Sequence, residues 1–409
     1  MRVPQRLPRR SAWLGGTVLA LLLGSGLLAG CGAGPALGSQ PQSAQLVTLA
    51  ADSAWKQAAA PTSSNDAPAA ISCADASHCW AVGVRYQGSN KLSLIEAYSG
   101  TRWAVESSPS IADSVSGYDQ DSLSGIACPS TTDCWAVGEY FDGGDIPLLE
   151  HYNGADWTTV AGPSGGSLLF WQASLSAVTC VSSSDCWAVG TGADLPLVEQ
   201  FNGSTWSIVP SQQAGNTSQE DTLDAVSCSS ADSCWAVGDQ DYNDVSSQVT
   251  GQPLIESSSG GSWTVVPSPS LRTQTQNQLA ALSCPSAATC WAVGGLGQLY
   301  RHQHTIDPAQ PLMEKLSQGS WRLVPEKGPS GAFLSGVSCP TQKSCWIVGQ
   351  SGTKGLVESW SGSRWVLAKG VAKLLLSRVS CLGGGGCWAL GEKSEKAKAS
   401  SYITTFFHN

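Results

Sequence analysis

The sequence predicts an all-β fold, a seven-bladed β-propeller of four-stranded blades, closed by an N-terminal strand that completes the C-terminal blade. Three observations predict it. The motif Cys-x5-Cys-Trp-Ala-Val-Gly occurs seven times, starting at Cys73, Cys128, Cys180, Cys228, Cys284, Cys339 and Cys381, with Ile347 and Leu390 as its only variations. The copies stand 42 to 56 residues apart, the length of one supersecondary unit that cannot bury its own apolar face. Each of the first six copies is followed by an apolar run ending in Glu, then a Gly turn, then a Trp. The seventh lacks that Trp, and the segment from Trp55 to Pro61, ahead of the first copy, has the spacing of the missing strand.

Taken in order, residues 1–30 carry no acid, and Arg2, Arg6, Arg9 and Arg10 precede an apolar run from Trp13 to Ala29. That run is short for a membrane span and fits an export signal. It ends Leu28-Ala29-Gly30-Cys31, which resembles the lipobox of bacterial lipoproteins. The resemblance implies cleavage before Cys31 and lipidation of Cys31, hence an extracytoplasmic protein held to the cell membrane by lipid. Residues 31–54 show no periodicity and read as a flexible tether. Residues 55–409 form the repeat domain.

Within each repeat, strand 1 precedes the first Cys and strand 2 is Cys-Trp-Ala-Val-Gly. The five-residue loop sets the two Cys opposite each other across a hairpin. Of the 15 Cys, Cys31 stands apart and the others fall into pairs. Even, regular Cys behind an export signal argue for disulfides: Cys73 with Cys79, Cys128 with Cys134, Cys180 with Cys186, Cys228 with Cys234, Cys284 with Cys290, Cys339 with Cys345, and Cys381 with Cys387. Zinc prefers closer pairs and a recurring His, which is absent. Strand 3 ends in Glu96, Glu150, Glu199, Glu256, Glu314 or Glu358, and strand 4 opens on Trp103, Trp157, Trp206, Trp263, Trp321 or Trp365. The Trp of strands 2 and 4 should fill the space between neighbouring blades.

Trp-Ala-Val-Gly, an apolar strand and then an aromatic-polar-Gly-x-x-Trp turn, as in Tyr98-Ser99-Gly100-Thr101-Arg102-Trp103, resemble the Asp-box (BNR) propellers of the sialidase superfamily and the propellers of photosystem II assembly factors. The resemblance implies a propeller. It also implies an alternative function, glycoside hydrolysis of extracellular glycans in the manner of a sialidase. Sialidases need three convergent Arg, however, and the seven Arg beyond the signal, Arg85, Arg102, Arg272, Arg301, Arg322, Arg364 and Arg378, make no recognisable triad. The six repeated Glu argue against catalysis, because a catalytic acid is needed once and a copy in nearly every blade serves structure.

In such a ring the loops joining strands 1 to 2 and 3 to 4 share one face, and these are short and uniform. The loops joining strands 2 to 3 and 4 to 1 share the other face and differ in every blade, which is where binding resides on a rigid scaffold. They carry Tyr118, Tyr140, Phe141, Trp171, Asp239, Asp241 and Tyr242, an aromatic and acidic set suited to a protein or a glycan. Asp239-Gln-Asp241-Tyr-Asn243-Asp244 alternates oxygen ligands but lacks the Gly turn and distal Glu of a calcium loop, so no metal is expected there. Removing the signal lowers Lys+Arg from 22 to 18 against 31 acids, a formal charge of −13 that repels nucleic acid and anionic headgroups. The sequence therefore predicts a monomeric, non-enzymatic binding protein without a cofactor.

Overall fold

The computed structural model of the protein describes residues 45–49, 57–59, 65–111, 117–163, 172–193, 195–214, 221–243, 249–259, 262–269, 277–297, 310–325, 331–368, 374–393 and 406–408. Every described element is a strand. Two short ones come first, β1 (Gln45–Leu49) and β2 (Gln57–Ala59). Blade 1 comprises β3 (Asp66–Asp75), β4 (His78–Gln87), β5 (Asn90–Ser99) and β6 (Trp103–Glu106). Blade 2 comprises β7 (Asp121–Ser130), β8 (Asp133–Phe141), β9 (Asp145–Tyr152) and β10 (Trp157–Thr159). Blade 3 follows with β11 (Ala173–Ser182), β12 (Asp185–Gly192), β13 (Leu195–Phe201) and β14 (Trp206–Ile208). In blade 4 the strands are β15 (Asp221–Ser230), β16 (Ser233–Asn243), β17 (Val249–Ser259) and β18 (Ser262–Val265). Blade 5 has β19 (Asn277–Ser286), β20 (Thr289–Leu296), β21 (Gln310–Ser317) and β22 (Ser320–Leu323). Blade 6 has β23 (Ala332–Thr341), β24 (Ser344–Ser351), β25 (Lys354–Trp360) and β26 (Trp365–Leu367).

The seventh repeat corrects the expectation from sequence. Among the described residues it forms a two-stranded hairpin, β27 (Leu374–Cys381) with β28 (Cys387–Lys393), so the protein is a six-bladed propeller of four-stranded antiparallel blades. The expected closing strands do meet, but without a ladder to that hairpin. β2 touches β29 (Phe406–His408) through the single pair Gln57 and Phe406, and both pair with β1 in a small separate sheet. The stretch assigned to the tether thus contributes β1. The last repeat departs from the others in sequence, with no Leu-x-Glu run after its Gly391 and with Lys393, Lys396 and Lys398 following instead. A strand lying between others needs apolar side chains on both faces, which the Leu-x-Glu runs supply in the six complete blades.

The hairpin nonetheless occupies the place between blade 6 and blade 1. The Cys73 N–H donates to Ser380 Oγ at 3.2 Å. The same bond links other neighbours, from Cys128 to Ser72, Cys284 to Ser227, Cys339 to Ser283 and Cys381 to Ser338, at 3.0 to 3.1 Å. Apolar clusters fill each junction, and indole pairs stand in them edge to face. Trp135–Trp206, Trp187–Trp263, Trp235–Trp321, Trp291–Trp365 and Trp388–Trp103 have centroids 5.0 to 5.5 Å apart at 69 to 82°. All seven Cys pairs are closed as disulfides across their hairpins.

Strand 1 of each unit is innermost and carries a β-bulge, between Leu123 and Gly125 in blade 2 and at the matching place in the others. The bulge explains the Gly that ends the strand 2 motif. A Cβ on Gly138 would stand 1.9 Å from the Ser122 carbonyl oxygen, and on Gly294 1.9 Å from that of Gln278. The bulged residues and their neighbours enclose a central cavity of about 140 Å³, lined mostly by small and apolar side chains. Two charges break that lining, Asp224 and Arg378. Arg378 Nη1 donates to the Ser335 and Ser377 carbonyls at 3.0 Å, and Asp224 accepts from Gln278 Nε2 at 2.8 Å. Burial pulls the Arg378 guanidinium below the usual arginine range, against the opposing charge of Asp224.

Candidate binding face

The disulfide hairpins and the Gly turns before each strand 4 lie at one end of the blades, and the irregular connections at the other. On the irregular face the best-defined stretch lies between blades 1 and 2. The segment leading into β7 is held on both sides. Lys91 N–H donates to the Asp119 carbonyl at 2.9 Å, Gln120 Nε2 to the Ser89 carbonyl at 3.0 Å, and Phe141 N–H to the Gln120 carbonyl at 3.2 Å. A short loop thereby joins the tips of two neighbouring hairpins, and its Tyr118 is 52% exposed.

Tyr140 and Phe141, at the end of β8, are half-buried beside this clamp. Asp121 opposes Tyr140 across the strand pair. Its carboxylate accepts from the Ile111 N–H at 2.8 Å, yet burial raises the pKa to about 6, helped by Asp119. Burial also raises Glu139, with Asp145 adding to the effect and Lys91 opposing it. The Tyr140 phenol is raised by burial and then by Asp142 and Asp121. Acidic groups therefore crowd this corner. Beside them is a cavity of about 290 Å³ whose lining includes Ile111, Tyr140, Ile146, Leu148, Leu149 and Val160.

The other residues singled out from sequence are placed differently. Asp239 turns inward, buried, and accepts from Thr222 Oγ1 at 3.1 Å. Asp241 and Tyr242 lie in the extended tip of blade 4, paired with Gly251 and Thr250. Trp171, Asp244 and the lipobox around Cys31 lie outside the described residues. Among the described residues no three of His, Cys, Asp and Glu gather where they could hold a metal ion. Tyr118, Tyr140 and Phe141 are thus brought together, while the blade 4 set stands apart.

The repeated Glu are all buried. Three accept from a Ser that follows strand 4 of the preceding blade: Glu150 from Ser108 at 2.9 Å, Glu314 from Ser268 at 2.7 Å, and Glu256 from Ser211. Burial raises Glu150, Glu256 and Glu314 to about 7 and Glu96 to about 8. They staple blade to blade. Of the described arginines, Arg85 pairs with Asp66 at 2.7 and 2.9 Å, Arg378 faces the central cavity, and Arg102, Arg322 and Arg364 sit in or next to the turns of the opposite face. What sequence reasoning missed was the cavity with Lys91 and Ile111 at its edge. Its signal was faint: an Ile-Pro step ahead of the Leu-Leu-Glu of strand 3.

No protein-family profile and no curated protein sequence matches the chain. Solved structures do. One described as YCF48 bound to D1 peptide matches over 91% of this chain and 96% of its own, with TM-score 0.52 and 13% identity. U3-55K and the RRP9 WD40 repeats match over 84% of this chain and 95% and 93% of their own, each with TM-score 0.53 and 10% identity. At such identities the likeness concerns the fold alone, and with the sheet order above it shows that the chain has a β-propeller fold.

Proposed function

We propose that this protein is a non-enzymatic propeller, exported and anchored to the outer side of the cell membrane through lipid on Cys31, that binds a polypeptide partner with the irregular face of blades 1 and 2. The observation that carries this reading is the clamp at Tyr118. The exposed Tyr118 directly precedes Asp119 and Gln120, which bond to blades 1 and 2, so an aromatic residue is carried on a segment fixed at both sides, as anchors are at interfaces. That YCF48, a propeller of like fold, is described bound to a peptide supports a polypeptide as the partner. The buried, Ser-capped Glu and the scattered Arg give no reason to invoke glycoside hydrolysis.

The test is crosslinking of the full-length protein on the surface of its own cells, with the captured partner identified by mass spectrometry. Tyr118→Ala and Phe141→Ala should each cut capture by about tenfold or more, as loss of an interface anchor does. Their melting temperatures should stay near that of the parent. Undiminished capture by both variants would remove this face from consideration, and capture of glycan alone would replace the polypeptide reading.

A further inference from the structure

We infer that the blade 2 cavity is an anchor pocket for one apolar side chain, Leu or larger, carried on a cationic polypeptide segment. This rests on the binding face proposed above and names the chemistry of its partner. Its apolar lining includes Ile111, Tyr140, Ile146 and the buried Leu148, which packs in the same cluster as Ile111 and Tyr140, while the next residue, Leu149, turns its side chain to the other face of the blade. Ile111 is fixed there by its bond to Asp121. At about 290 Å³ the space is near the lower end for small-ligand pockets, the scale of a side chain more than of a cofactor. Thr159 and Tyr140 are the only lining residues with polar side chains, so a sugar's hydroxyls would go largely unpaired inside.

Charge selects the segment that carries the anchor. Asp119, Asp121, Glu139, Asp142 and Asp145 all lie near enough to sense one another or Tyr140, and Lys91 opposes Glu139. This excess of negative charge repels acidic segments and phosphate, and it draws Lys- or Arg-bearing ones to the rim. The apolar lining then distinguishes a peptide from a bare cation, which would gain nothing from Ile111, Ile146 and Leu148.

Fluorescence anisotropy on the full-length protein in non-ionic detergent tests this with three labelled nonapeptides. The first is Gly-Ser-Lys-Lys-Leu-Lys-Lys-Ser-Gly, the second has Ala for its Leu, and the third has Glu for each Lys. The first should bind about tenfold tighter than either of the others, and more weakly as salt rises. Ala161→Trp and Thr159→Trp, both on the exposed wall of the pocket, should fill it and abolish the preference for Leu over Ala. Asp142→Asn with Asp145→Asn should reduce the preference for Lys over Glu. Equal binding of the three peptides, binding of none, or a Leu preference that survives both Trp variants in folded protein overturns the inference. If Tyr118→Ala still abolishes cell-surface capture in that case, the binding face stands and only its pocket chemistry falls.

Discussion

Individual side chains show why repetition misleads when read as chemistry. Glu150, Glu256 and Glu314 would tempt a catalytic reading if each stood alone, but they recur from blade to blade, and each is buried and capped by a Ser hydroxyl of the blade before it. Their folded pKa values of about 7, and about 8 for Glu96, lie above the usual 4.5. The folded protein thus keeps protons that the unfolded chain releases once the pH passes about 4.5. Their contribution to stability is present below that pH and is lost as the pH rises through 7 to 8. The melting temperature should therefore fall between pH 5 and pH 8. Glu256→Gln, which keeps the acceptor without the charge, should match the parent at pH 5 and melt higher than it at pH 8. A parent whose melting temperature climbs over that range would show that these carboxyls are ionised in the fold.

Strands and hairpins were the most legible level. The Trp-to-Gly spacing marked strands 2 and 4, and the Cys pairs marked the hairpin between strands 1 and 2, because both features answer to local geometry. The interblade Ser–Cys bonds were not legible, since Ser72 and Cys128 become neighbours only when two repeats pack side by side. The final sheet was misread for a related reason. Spacing alone linked Trp55–Pro61 to the end of the chain, but a strand is admitted to a blade by its apolar faces, and the last repeat has no Leu-x-Glu run of the kind the other six carry. Where the faces do fit, much depends on them. Trp206 lies buried against Trp135 and Phe201, so Trp206→Ala should lower the free energy of unfolding by about 3–5 kcal/mol in a denaturant titration. A loss well under 1 kcal/mol would mean that the junctions between blades are loosely packed.

Across the whole molecule the ring has near-sevenfold regularity on its inner wall, broken at one point. Where other units place Ala or Gly after the bulge, the hairpin between blades 6 and 1 places Arg378, facing the cavity that also holds Asp224. Arg378→Met removes two bonds to carbonyls and the cation that senses Asp224, so it should lower the free energy of unfolding by about 1–3 kcal/mol in a denaturant titration. Combined with Asp224→Asn in a double-mutant cycle, additive losses would show that the two charges act independently. The candidate binding face was legible at this scale only as a contrast between uniform and irregular loops. Its proposed place on blades 1 and 2 rests on Lys91 and Phe141, whose backbones hold one segment from either side.

The bond from Ser380 to Cys73 spans 307 residues of sequence. A chain made from its N-terminus can form every other junction while synthesis continues, but this one must wait until nearly all of the polypeptide has emerged. Until then the first blade exposes an apolar flank built from Ile71, Ala81 and Trp103. Maturation must therefore shelter that flank until Trp388 and Leu390 arrive, and a chain cut ahead of β27 would leave a sticky, unsealed arc where a closed ring should be.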